Sequence, residues 1–509
     1  MRVSVDGESI TLGDDATLGD ALDAAGVSPP EDAIIGVVKG RSEKAKKTNS
    51  YWLSTTKGKI RIELLETGMQ NTWHRCVDEI GDLKARWADS RAVAFGPLSA
   101  SLTPTRQEHE YDRWEVVLGA SGFEVDRVQF VFVKRRHTAA YGVPDEKRGV
   151  FAAIVGGKDI LDELEKGDKI LSVDPIVEWE DLTEKTTTKD RTLLLSEGME
   201  IYTTLYIDLV EAAPYGSEFV LAATRDDVFP VDAVTSSYIS SDLLLTEPIQ
   251  FEHREPRSEG AVTVRTTGRG AGRIFIYKSD RTSLPSHSLV GRVTSGMDLA
   301  KLVGPGQRIA VKVNPPRVML MGLPLKEALD IASERGLEAA VEGHEGEDAV
   351  VVGQDPATTM KVVKEGKVKL TTVPSDRLVA IELYDDLAPK SLDYFRHVVG
   401  LKEKPVGPLP AYFVYENTVL FKPVISATSY KELMPENKPT DKVPAGEIGV
   451  TNQAAKRAGL VGVKLADDDR YGPSGEKFTA TNIIGRVIDL DKLRDVEEDE
   501  TIYLLEVRS

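Results

Sequence analysis

Apolar and polar residues alternate with a period of two in short runs of this chain, separated in places by stretches of helical period. Val3 and Val5, then Ile10 and Leu12, flank an Asp6-Gly7 turn, which is a strong hairpin signal. Thr17 can cap the short helix LGDALDAAG, in which Leu18, Ala21, Leu22 and Ala25 share one face. Residues from Ala33 to Val38 supply a further apolar strand. Three later segments, KGKIRIELLE, GSEFVLAATRDD and DRLVAIELYDDLAPKSLDYF, read as the opening strands of three larger units.

Those units repeat one another. Near the end the chain reads AGLVGVKLADDDRYGPSGEKFTATNIIGRVIDLDKL, and in the middle GAGRIFIYKSDRTSLPSHSLVGRVTSGMDLAKL. Each holds an apolar strand, an Asp-Arg turn, a Pro-Ser pair, Gly-Arg-Val and a short helix ending in leucine. A more distant copy is RVQFVFVKRRHTAAYGVPDEKRGVFAAIVGGKDILDEL. The repeat predicts units at 52–180, 215–315 and 375–509, with Gly157, Gly291 and Gly485 in corresponding places. A module at 1–50 precedes them, and 181–214 is expected to be a linker. Between the second and third units, at 316–374, Gly322-Leu323-Pro324-Leu325 leads into the amphipathic helix KEALDIASERG, and strand-like runs follow.

Ile381-Glu382-Leu383-Tyr384-Asp385-Asp386, then Ala388-Pro389-Lys390 and Tyr394-Phe395, resemble the opening of cyclophilins: strand, Ala-Pro turn and helix in that order. Proline suits the first turn of a helix, and Leu392 with Phe395 would face inward. The first module resembles the ubiquitin-like β-grasp sulfur carriers. Their Gly-Gly tail is replaced by GRSEKAKKTNSYWL, which implies a structural or docking role. The insert, with Gln354-Asp355-Pro356 and Gly366-Lys367-Val368, is similar to PASTA modules and is expected to be a spacer or interaction domain. The predicted fold class is therefore α+β and β-rich: tandem cyclophilin-like β-barrels, an N-terminal β-grasp module and a PASTA-like insert. The whole order, including IIGVVKGRSEKAKKTN, resembles the methanogenesis marker protein 3 family of methane-producing archaea. That resemblance implies methyl-coenzyme M reductase and the other proteins of its activation complex as partners.

At 509 residues the chain is too long for one core, and its 82 acidic against 64 basic residues give a net charge of −18. Such acidity argues against nucleic acid and anionic membrane surfaces as partners. Lys44, Lys46 and Lys47 read as a solvated loop. Cys76 is the single cysteine, so neither an internal disulfide nor a four-cysteine metal site can form. The histidines, His74, His109, His137, His253, His287, His344 and His397, form no HxxxH or HExxH pair. No apolar signal core opens the chain and no window approaches ~18 apolar residues, so a cytoplasmic protein is expected.

Cyclophilins use an arginine in a Phe-His-Arg strand, and the chain contains no such run. Trp73-His74-Arg75 falls too early, and the third unit reads AYFVYENTVLFKPVIS, with Tyr415 and Lys422 but no arginine or glutamine at that spacing. The Gly-rich run Thr266–Arg273 lacks a P-loop ending and reads as a turn. Asp467-Asp468-Asp469 and Glu497-Glu498-Asp499-Glu500 read as solvated surface. No catalytic, cofactor-binding or metal-ligating residue is expected, and no cofactor. The preferred function is a non-catalytic scaffold or assembly factor. A peptidyl-prolyl isomerase or chaperone of reductase subunits is the first alternative, and a small-ligand binder using a barrel groove is the second.

Overall fold

The computed structural model describes residues 1–39, 43–66, 69–98, 100–144, 147–181, 184–425, 430, 433–437, 439 and 441–507. It is a β-rich α+β protein with two closed barrels and one half-barrel. The hairpin of Arg2–Val5 and Glu8–Thr11 forms as the Asp6-Gly7 turn predicts. Thr17 caps the helix Leu18–Ala25 reciprocally with Asp20, and Gly26 ends it in the left-handed conformation. The sheet, however, takes two strands from far along the chain. Its order is Glu8–Thr11, Arg2–Val5, Glu200–Tyr202, Ile35–Lys39, Glu184–Thr188, with Arg2–Val5 and Glu200–Tyr202 parallel. Val3, Val5, Leu18, Leu22, Val37, Leu195 and Ile201 make its core.

The expected linker at 181–214 is thus no linker. Its first part completes the N-terminal sheet, and Thr204–Leu209 opens the second unit. The expected module at 1–50 also ends early, because Glu43–Thr55 is a strand of the first barrel. Lys44, Lys46 and Lys47, expected in a loop, lie instead in that strand, paired with Lys169–Asp181, and their side chains lie outside the described residues.

One circular strand order underlies all three units. In the C-terminal barrel it runs Leu378–Leu383, Thr481–Val487, Glu447–Thr451, Val461–Lys464, Thr418–Phe421, Val406–Tyr415, Thr501–Glu506, and closes by a parallel pairing. The first barrel runs Gly58–Leu64, Val150–Gly156, Glu115–Ala120, Val128–Val133, Ala92–Leu98, Leu83–Ala88, Lys169–Asp181. Glu43–Thr55 then enters as an extra strand between the two that would otherwise close it. The middle unit keeps the order but does not close, which corrects the expectation of three barrels. Where the C-terminal barrel has one long strand, Val406–Tyr415, the half-barrel has two short ones, Val228–Pro230 and Ala233–Val234. They form the two opposite edges of an eight-stranded sheet.

GSEFVLAATRDD is not a strand either. Pro214 starts a helix, Pro214–Ala223, and the true opening strand precedes it. Gly291 and Gly485 do correspond. A Cβ at either would meet a carbonyl of the opening strand, that of Asp208 at 2.8 Å or Glu382 at 2.3 Å. Gly157 instead matches Gly296, since both sit left-handed at the start of the short helices Lys158–Glu163 and Met297–Leu302. The insert is a three-stranded sheet, Glu338–Gly343, Lys367–Pro374, Ala349–Asp355, with helices Leu325–Glu334 and Thr359–Glu365. Its core runs on into Leu378 and Val406 of the C-terminal barrel.

Candidate functional site

Two helices that open with Ala-Pro lead to a buried cluster of charged side chains. Neither Pro389–Val399 nor Pro214–Ala223 has a side-chain cap of its own, and first-turn N–H groups need acceptors. A remote glutamate serves each. Glu436 accepts from the N–H groups of Lys390 and Ser391 at 2.9 and 2.7 Å, and Glu252 from those of Tyr215 and Gly216 at 3.1 and 2.8 Å. Both carboxylates also face the positive helix end. The inner face of Pro389–Val399 buries Leu392, Phe395, Val398 and Val399 in the barrel core. Its outer face turns His397 toward the half-barrel.

There Glu247 of the half-barrel is almost fully buried. His397 Nδ1 lies 2.8 Å from both its oxygens, and Lys402 Nζ lies 3.2 Å from one. Lys402 also reaches Asp393 at 2.6 Å and donates to the Tyr430 hydroxyl at 3.0 Å. Burial works against the charge on Lys402, but the bonds to Asp393 and Tyr430 outweigh it and its pKa is raised. Burial, with Asp393 as acceptor, pushes the Tyr430 phenol up to about 12. On the insert side Arg317 donates to Glu218 at 2.8 Å, and Glu218 accepts from the Thr359 N–H at 2.8 Å. Arg317 also donates to the Glu403 carbonyl. Burial, then the charge of Glu247, lifts the Glu403 carboxyl to about 7. A cavity of about 300 Å³ lies beside these groups, walled by Phe219, Ile249 and Met319. The chemistry of this junction is mutual neutralisation: charges from three bodies satisfy one another.

The outer surface of the C-terminal barrel is different. Tyr412, Phe413 and Tyr415 are exposed on the strand Val406–Tyr415, with Phe413 and Tyr415 stacked at 6.3 Å. The Lys422 ammonium lies 5.8 Å from the centre of the Tyr412 ring. Most of this barrel's arginines hold carboxylates of the same chain. Arg396 is 2.6 Å from Glu506 and 2.9 Å from Asp385, Arg486 is 2.6 Å from Glu382, Arg377 is 2.5 Å from Glu500, and Arg494 is 2.9 Å from Asp491. Arg470 lies 3.7 Å from Asp469, and Arg457 is exposed on a loop without a carboxylate partner among the described residues.

The other residues singled out from sequence scatter. Trp73 fills the centre of the first barrel against Phe130 and Phe151, each at 5.3 Å, and Arg75 donates to the Asn71 carbonyl. Cys76 is buried nearby. The Gly-rich run from Thr266 to Arg273 joins two strands of the half-barrel, and Arg273 pairs with Asp242. Asp467 and Asp468 are held by Lys442 and Lys464. No cluster of three metal-ligating side chains occurs among the described residues, and no described helix is long and apolar enough to cross a membrane. Sequence reasoning missed the junction entirely, because Glu218, Glu247, Arg317 and His397 meet only through the packing of three units.

Fold and surface together define a tandem-barrel protein, and residues 379–507, its last barrel, match a family model described as "Putative peptidyl-prolyl cis-trans isomerase domain". The chain belongs to the UPF0288 family. It is 43% identical to a UPF0288 protein of Methanosarcina mazei, over 100% of this chain and 97% of that one. Identity is 38% to the Methanothermobacter thermautotrophicus protein, over 99% and 98%. Among solved structures, a cyclophilin from Hirschia baltica is similar at 11% identity and a TM-score of 0.20, over 27% of this chain and 82% of that one. A Cryptosporidium parvum cyclophilin-type isomerase is similar at 12% identity and a TM-score of 0.20, over 25% and 97%.

Proposed function

We propose that this chain is a non-catalytic scaffold or assembly factor that binds other proteins through its barrel surfaces. The observation that carries the reading is the C-terminal barrel's exterior, where Arg377, Arg396, Arg486 and Arg494 are engaged by the chain's own carboxylates while Tyr412, Phe413 and Tyr415 face outward. The cyclophilins that this barrel resembles hold a guanidinium in their groove, whereas the two described arginines here without a close carboxylate, Arg457 and Arg470, lie on exposed loops. Exposed aromatics are what protein interfaces favour. The chain's resemblance to methanogenesis marker protein 3, together with relatives in methanogenic archaea, supports methyl-coenzyme M reductase and its activation complex as the cytoplasmic partners.

The test is affinity capture of the tagged full-length protein from methanogen extract. Reductase subunits should co-elute, and should be lost with a Y412A/F413A/Y415A variant of unchanged melting temperature. Capture without reductase sinks the partner assignment. The second reading, a prolyl isomerase, is favoured by the family description of residues 379–507. X-Pro isomerisation takes tens of seconds uncatalysed, so a prolyl-peptide assay is decisive. A scaffold gives no rate above background, whereas turnover lost on changing Lys422 or Tyr415 would replace the scaffold reading with the isomerase.

A further inference from the structure

In a chain of net charge −18, an open cleft of about 770 Å³ between the first barrel and the half-barrel gathers five basic side chains against three carboxylates. Arg61, Arg113 and Lys158 line it from the barrel side, Arg257 and Arg281 from the other. Of these only Arg113 has a carboxylate, Asp162 at 2.9 Å. The other four have no carboxylate partner among the described residues. Arg61 Nε is buried with no acceptor, and its Nη2 reaches only the Ser50 hydroxyl at 3.4 Å. Lys158 Nζ rests 3.5 Å over the Trp114 ring. Arg257 donates to the Thr282 carbonyl and the Tyr277 hydroxyl, and Arg281 to the Ser237 hydroxyl. These are neutral acceptors that leave the charge uncompensated.

Backbone pairing sharpens the conflict. Arg257 and Arg281 are direct antiparallel partners, and like charges placed opposite one another destabilise a pair. The neighbouring acids do not relieve them. Asp159 gives one oxygen to Arg254 at 2.6 Å and keeps the other buried without a hydrogen-bond partner, while Glu63 and Asp162 stand exposed at the rim. Behind the cleft the field is felt by His287, whose imidazole is depressed to about 3, first by burial and then by the charges of Arg257 and Arg265. The cleft is also built rigidly. Gly157 sits left-handed at its floor, where a Cβ would meet the Lys59 carbonyl at 2.4 Å, and its N–H donates to Thr282 Oγ1 at 3.0 Å across the two units.

We propose that this cleft binds a small polyanion bearing phosphate or clustered carboxylate groups, with Arg61 as the anchoring guanidinium and Lys158, Arg257 and Arg281 around it. Guanidinium forks suit the paired oxygens of both groups, and the volume is that of a small-molecule site. Because the cations come from two units, the ligand bridges them.

The test is titration calorimetry of the full-length protein with pyrophosphate, ATP and citrate at low and at threefold higher salt. Saturable binding of at least one is expected, weakening with salt. Pyrophosphate and ATP against citrate separate a phosphate from a carboxylate ligand. Arg61→Gln should lower affinity at least tenfold. Arg281→Gln, at an exposed position that leaves the fold intact, should do the same, and Arg470→Gln should change nothing. Absence of saturable heat with all three probes at millimolar concentration would overturn the proposal. So would binding that survives both cleft variants, or binding of a poly-glutamate peptide alone.

Discussion

Glu403 is a carboxyl group held where its charge is unwelcome. Burial disfavours the carboxylate, and Glu247 and Glu218 add negative charge, so its pKa in the fold stands near 7. In the unfolded chain it returns to the ordinary carboxyl range. The folded state therefore binds the proton more tightly, and stability from this group is full below about pH 4 and lost as pH rises through 7. Glu403→Gln removes that loss. Thermal melts should show the variant more stable than the parent at pH 8, by up to about 3 kcal/mol, with the gain gone at pH 4.5. Equal gains at both pH values would mean that the carboxyl titrates normally.

At the scale of the element, the helix Pro389–Val399 is a packing device. Phe395 is fully enclosed by the core and not at all exposed to solvent, while Leu383 is only half-buried at the edge of the same cluster. Phe395→Ala should cost roughly 3–5 kcal/mol as a cavity. Chemical denaturation should show the lowered midpoint, and an unchanged midpoint would place that ring outside the core.

The same helix explains what the sequence did and did not disclose. Ala388-Pro389 after Ile381-Glu382-Leu383 was legible because alternation, proline and helical spacing agree locally. The half-barrel carries the same signal, Ile207-Asp208-Leu209 followed by Ala213-Pro214 and Phe219, but it lay in a stretch read as a linker, and the apolar run after it passed for a strand. Short apolar runs are ambiguous in this way, and the proline at the first helical position was the arbiter. Strands Glu184–Thr188 and Glu200–Tyr202 were beyond reach for another reason. Their partners lie more than a hundred residues upstream, and local pattern holds no record of pairing across an inserted barrel. The junction and the basic cleft are hidden for the same reason, since each is assembled from separate units.

Taken whole, the molecule is riveted at Glu247. One carboxylate meets an imidazole from the helix of the next unit and an ammonium just beyond it, all nearly free of solvent. Removing Glu247 takes away the buried carboxylate that His397 and Lys402 share, at a cost of about 3–5 kcal/mol. Glu247→Ala should therefore uncouple the C-terminal barrel from the half-barrel. Scanning calorimetry should resolve a lower-temperature transition absent from the parent, and a single unshifted transition would show that apolar contacts alone hold the units together.

The placement of the first barrel inside the N-terminal sheet has a consequence for synthesis. Ribosomes deliver the chain from its amino end, and domains generally fold as they emerge. Here Arg2–Val5 and Ile35–Lys39 leave the exit tunnel without the strand that belongs between them, Glu200–Tyr202. The apolar faces of Val3, Val5, Leu22 and Val37 must wait while the whole intervening barrel is translated. This module is thus completed only after the barrel that follows it, and its apolar faces, rather than either barrel, are what most need shelter during translation.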